Sequence, residues 1–361
     1  MPRPIPIILG FLLFAGSVAR ADDGVIKVVV KLAPVYPHKS ITAQSFGAGA
    51  RSYWIFEPAG PTPEKAAVVV FHHGWLAVNP GVYGAWIEHL VRSGKVVIFP
   101  KYQTDFITRP ADFLPNAVFA VRDALDVLET GPGRVRPDRD RFAIIGHSAG
   151  GNLSAQMAAI ARESGLPEPK AVICVCPGEV RPLREPDLSR IPSTTLLTIA
   201  ATDGDRLVGD CRAREIYGMA TSIPISRKKY ILYRSDRRGR IPIIADHLAP
   251  TAGLATLDSG EGLFRARQMN LATLDILDRF GFWRMTDLTI AAGFAGQTLD
   301  EATSNGALFR DLGRWSDGQP VTPPLCGDDL DIIPRTIAAN GGRFLPWSVD
   351  EFRRMMMAEK P

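Results

Sequence analysis

The sequence predicts an α/β protein: a mostly parallel, doubly wound sheet flanked by helices, with a C-terminal extension. Three observations predict it. Short apolar, β-branched runs recur with helix-like segments between them, the pattern of parallel strands joined by helical crossovers. One run leads through a small-residue turn straight into a helix at 141–161. The 361 residues are 46% hydrophobic, enough for one large core.

The first segment stands apart from that pattern. Residues 1–18 combine a basic start with a short apolar core, and Ala19-Arg20-Ala21 is a small-residue cleavage signal before Asp22. This reads as a secretory signal peptide over residues 1–21, directing a secreted or periplasmic protein. Its apolar core falls short of the about 20 residues a membrane-spanning helix needs, so no stable span is expected. The main domain is then expected over 22–285. Residues 286–361 form an extension rather than a separate domain, either a cap or a wrap around the sheet edge.

The first buried strand is Lys65–Phe71, and His72-His73-Gly74-Trp75 leaves its end. Adjacent side chains of an extended segment point to opposite faces, and no Asp, Glu or Cys stands near the two histidines at ligand spacing. No metal is therefore expected, and no cofactor. Of the aromatic residues nearby, Tyr83 and Tyr102 suit either a pocket or the core, while Trp86 falls inside a helix and reads as core. Lys95–Phe99 is the next strand.

Arg141–Ile145 then delivers Gly146-His147-Ser148-Ala149-Gly150, and Gly151–Ala161 reads as a helix. A serine at the tip of a strand–turn–helix needs small neighbours, because the turn is strained and backbone passes close to it. A serine hydroxyl is a weak nucleophile and needs a general base oriented by an acid. Of six histidines only His247 lies downstream of the turn. It follows the strand-like run Lys228–Arg234. Between the two, Ser193–Ala201 reads as a strand, and Thr202-Asp203-Gly204-Asp205 follows it. Asp205 is the preferred acid, with Asp203 second and Glu179, after the strand Ala171–Cys176, third. Asp246 adjoins His247 in sequence and would point away from its ring. Backbone N–H groups of Trp75 and Ala149 are the candidate oxyanion donors, each worth about 3 kcal/mol of barrier.

In this order, His73-Gly74, Gly146-His-Ser-Ala-Gly150, Asp205 and His247 resemble the α/β-hydrolase superfamily over roughly residues 40–285. Within it, the chain looks like the secreted serine esterases, near the dienelactone-hydrolase-like, cutinase-like and platelet-activating-factor-acetylhydrolase-like branches. The resemblance implies a Ser148–His247–Asp205 triad acting on a small-molecule or polymeric ester. Trp75 stands where the hormone-sensitive-lipase branch continues its glycine run, a departure that puts a simple transfer of that branch's substrates in doubt. A peptidase or amidase on the same scaffold, or a non-catalytic binding protein, are the alternatives.

Charge adds little. Lys and Arg number 42 against 38 Asp and Glu, and no basic stripe interleaves with aromatics, so no nucleic-acid partner is expected. Arg227-Lys228-Lys229 and Arg237-Arg238 read as solvated strand and turn ends. Cys174 and Cys176, two apart on a strand, are expected on one face as buried thiols. Cys211 and Cys326 could pair in an oxidising compartment, and their connectivity stays open. After Arg284, Gly313–Gly318 reads as a turn with an aromatic anchor, Pro320–Pro324 as extended, and Arg353–Met357 as the end of a short helix. Oligomeric state is not legible.

Overall fold

The apolar runs assemble into one nine-stranded sheet in a computed structural model that describes residues 28–29, 35–179 and 185–338. The leader expected at 1–21 and the helix end expected at 353–357 lie outside the described residues. The strands are β1 (Ser40–Phe46), β2 (Tyr53–Ala59), β3 (Lys65–His72), β4 (Lys95–Pro100), β5 (Arg136–His147), β6 (Ala171–Val175), β7 (Leu196–Thr202), β8 (Lys228–Tyr233) and β9 (Leu325–Gly327). Their order is β9-β8-β7-β6-β5-β3-β4-β2-β1. Pairing is parallel from β4 through β3, β5, β6 and β7 to β8, and antiparallel at both edges.

The central strands are covered on both faces, which is why they read as continuous apolar runs rather than alternating ones. Along β3, Val68 and Val70 pack into one core layer with side chains of α2 (Pro110–Thr130), α3 (Ala149–Ile160) and α4 (Cys211–Met219). Val69 and Phe71 pack into the other, with α1 (Gly84–Arg92) and α5 (Arg284–Ala295). Trp86 is fully buried there. This is the α/β-hydrolase fold.

The structure departs from the sequence reading in several places. Strand β5 starts at Arg136, five residues before the apolar run. Its first three residues pair with β3 before the register shifts opposite Ala67/Val68. Cys174 and Cys176 do not share a face: Cys174 lies in one core layer and Cys176 in the other. The strand ends at Val175, and Cys176 takes a positive φ of 42°, which breaks the alternation. All four cysteines are free thiols, Cys211 exposed on α4 and Cys326 on the edge strand β9.

Lys228 and Lys229 are buried, not solvated. Residues 299–338 close over that edge, where β9 pairs with β8. Lys229 Nζ lies 2.6 Å from both Asp300 Oδ1 and Asp328 Oδ1, and Lys228 Nζ donates to the carbonyls of Tyr217 and Ala220. Trp315 anchors the expected turn, 2% exposed, with its indole N–H on Asp236. Helix α5 spans the boundary expected at residue 285. No helix among the described residues is long and apolar enough to cross a membrane.

Candidate active site

The parallel strands β3, β5, β7 and β8 end on the same side of the sheet, and each delivers one part of the site. After β5 the chain turns at Ser148, whose φ of 56° and ψ of −124° are strained for a residue with a Cβ. Space explains its neighbours. A Cβ on Gly146 would lie 2.1 Å from the Gly150 carbonyl oxygen, and one on Gly150 would lie 2.3 Å from the carbonyls of His72 and His73. The Ser148 carbonyl accepts the N–H groups of Gly151, Asn152 and Gly178, which holds the turn from behind.

Asp205 follows β7 and His247 follows β8. Asp205 Oδ2 lies 2.7 Å from His247 Nδ1, and His247 Nε2 lies 2.9 Å from Ser148 Oγ. A carboxylate only accepts, so Nδ1–H donates to Asp205, and Nε2 is left to accept the Ser148 hydroxyl. All three are buried, with Asp205 only 1% exposed. Its other oxygen accepts the N–H groups of Leu207 and Val208, both at 2.9 Å. Burial alone would raise the Asp205 pKa. The neighbouring His247 and those two amides outweigh it, so the group is held below the usual carboxylate range.

Gly204 makes the approach of the His247 loop possible. Its N–H donates to the Ala245 carbonyl, and a Cβ there would come within 2.8 Å of that oxygen. The other candidate acids are placed otherwise. Asp203 accepts the N–H and hydroxyl of Ser235, and Asp246 accepts the N–H of Leu248.

The turn after β3 faces Ser148. The Gly74 carbonyl accepts Ala77 N–H at 3.0 Å and Gly74 N–H donates to Tyr83 Oη at 2.9 Å. Leu76, at a φ of 58°, gives its N–H to Gln103. Because a peptide's C=O and the next N–H point opposite ways, fixing the Gly74 carbonyl also orients Trp75 N–H. Both ring nitrogens of His73 face carbonyls, of Gly74 and Lys101, while burial pushes its pKa down to about 4.

A cavity of about 60 Å3 opens beside Ser148, walled by Trp75, Ala77, Val82, Leu207, Leu248 and Leu271. Sequence reasoning missed most of this wall and also Gly178. A Cβ on Gly178 would stand 3.4 Å from Ser148 Oγ and 3.6 Å from Ala149 N, so its lack of a side chain keeps that space open. A Pro-Gly pair after a strand carries no signal that distinguishes it from an ordinary turn.

Residues 68–207 match the family described as the alpha/beta hydrolase fold. The match covers the turn after β3, the serine turn and Asp205, and stops before His247. The chain is 27% identical to Esterase LipI of Mycobacterium tuberculosis over 179 residues, which are 46% of this chain and 54% of the relative. The chain thus spans about half the length of that curated relative. Strand order, the serine turn and the family match agree on the α/β-hydrolase fold for this chain.

Proposed function

We propose that this protein is a serine hydrolase of carboxylic esters, with Ser148 as nucleophile, His247 as general base and acid, and Asp205 as the group that orients it. One observation carries the reading: three side chains from three strand ends meet in an unbroken hydrogen-bonded series of 2.9 and 2.7 Å. The resemblance to an esterase favours esters over amides.

In this mechanism Ser148 Oγ attacks the acyl carbonyl carbon as its proton passes to His247 Nε2. Asp205 keeps Nδ1–H in place and stabilises the imidazolium. The N–H groups of Trp75 and Ala149 hold the oxyanion of the tetrahedral intermediate, which collapses as His247 gives its proton to the departing alcohol. Water then attacks the acyl-serine, loses its proton to His247, and the proton returns to Ser148 Oγ as the acid leaves. The largely apolar cavity receives the acyl chain. One water needs roughly 10–15 Å3 of such space, so about 60 Å3 suits a short acyl group.

The test is hydrolysis of p-nitrophenyl esters from acetate to decanoate, with Ser148→Ala alongside. The expected result is a short-chain optimum and a loss on the order of 10⁴-fold or more in the variant. A folded protein that turns over none of these esters, and whose Ser148 resists a fluorophosphonate, overturns the reading.

A further inference from the structure

The proposed chemistry uses Ser148, His247 and Asp205 and leaves two buried polar side chains beside them without a task. Tyr83 is 1% exposed and His147 is 2% exposed. Tyr83 Oη lies 2.9 Å from Gly74 N and 2.9 Å from His147 Nδ1. His147 Nε2 lies 2.8 Å from the backbone carbonyl oxygen of His247. The two ends fix the direction of the run, since an amide N–H only donates and a carbonyl only accepts. Gly74 N–H therefore donates to Tyr83, and His147 Nε2–H donates to the His247 carbonyl. The remaining nitrogen, Nδ1, accepts the Tyr83 hydroxyl. This arrangement needs a neutral His147. Burial first, then the neighbouring His247 ring, push its pKa down to about 3.

The run joins three segments that reach the site separately: the turn after β3, the serine turn after β5 and the loop after β8. Gly74 sits at the junction. A Cβ there would fall 3.1 Å from Tyr83 Oη, 3.3 Å from Ser148 Cβ and 3.4 Å from His147 Nδ1. We propose that Tyr83 and His147 are positioning residues that hold the oxyanion turn and the His247 loop in register with Ser148. This inference rests on the serine-hydrolase reading above. Its physical basis is the sensitivity of proton transfer to placement: a shift of about 1 Å in a reacting group costs about a hundredfold in rate. His147 has a second consequence. Its ring centroid is 4.8 Å from that of His247, so a neutral His147 adds no repulsion when His247 takes the serine proton.

The test combines kinetics with 15N NMR of histidine-labelled full-length protein. Tyr83→Phe removes one oxygen and keeps the ring. The expected result is a kcat lower by about ten- to a hundredfold with KM within about threefold, and shifted ring 15N signals for both His147 and His247. His147→Gln, which keeps a donor toward the His247 carbonyl, should retain more activity than His147→Leu, and it serves if Tyr83→Phe folds poorly. Wild-type kcat in Tyr83→Phe, or His247 signals that do not move, overturns the proposal. Failure of the hydrolase reading looks different: the wild-type protein neither turns over esters nor reacts with a fluorophosphonate. The NMR arm still decides the linkage in that case, because a His247 ring indifferent to Tyr83→Phe overturns it.

Discussion

At residue 178 the site depends on a missing side chain. Gly178 donates its N–H to the Ser148 carbonyl and leaves open the space beside Ser148 Oγ and Ala149 N. Gly178→Ala would place a methyl 3.1 Å from Val208 Cγ1 and 3.4 Å from Ser148 Oγ. A valine methyl can yield by a few tenths of an ångström, so the variant is expected to melt near wild type. The methyl still stands where substrate must approach, and kcat/KM is expected to fall by about tenfold, roughly 1.4 kcal/mol. Unchanged ester kinetics would show that substrate does not use this space. Asp205→Asn probes the partner of the base. An amide in place of the carboxylate favours the wrong His247 tautomer, and kcat should drop about 10⁴-fold with little change in fold. A kcat within tenfold of wild type would remove Asp205 from the proposed triad.

Among the elements, the serine turn and the C-terminal wrap show how local sequence signals differ in legibility. The turn is legible because two constraints act in one short stretch: a strained φ at Ser148 and backbone contact at Gly146 and Gly150. Only glycine satisfies the contacts, so the pattern is written in composition. The start of β5 is hidden, because Arg136-Pro137-Asp138 pairs through backbone that its charged side chains do not advertise. The burial of Lys228 and Lys229 is hidden for another reason. That of Lys229 depends on carboxylates some 70 to 100 residues later, and that of Lys228 on the carbonyls of Tyr217 and Ala220 at the end of α4; no local pattern encodes either encounter. Lys229→Met should leave Asp300 and Asp328 without their shared cation. Both carboxylates are about one-third exposed and can rehydrate, so the expected loss is about 1–3 kcal/mol, below that of a fully buried pair. The lysine sits at the start of β8, away from the strand ends that carry Ser148, Asp205 and His247, so the proposed ester turnover should persist. Hydrogen exchange should locate the loosening at 299–338; exchange unchanged there would mean the ion pairs do not fasten the wrap.

For the molecule as a whole, the sheet order explains why a dispersed set of residues was readable as one site. Parallel strands place their carboxyl ends together, so Gly74, Ser148, Asp205 and His247 converge although they span more than 170 positions. The same burial that shapes the site sets the pH range of the fold. A free imidazole titrates near 6.5. Burial pushes His72 and His147 down to about 3. Between those values the unfolded chain binds more protons than the folded one, so stability falls as the pH falls. Each histidine contributes up to about 1.4 kcal/mol per pH unit across that window. Asp205, whose folded pKa is depressed, acts in the same direction but only as the pH drops through the carboxylate range. Urea denaturation between pH 7.5 and 5 separates the two sources. Buried histidines predict a midpoint that declines steadily below about pH 6.5, whereas carboxylates alone predict a flat midpoint until about pH 4.5. A slope reduced in His72→Asn, which keeps a donor for the Ser154 hydroxyl that His72 Nδ1 meets at 2.9 Å, would assign part of the decline to that ring. A flat midpoint down to pH 5 in the wild-type protein would mean that these imidazoles gain protons without opening the fold.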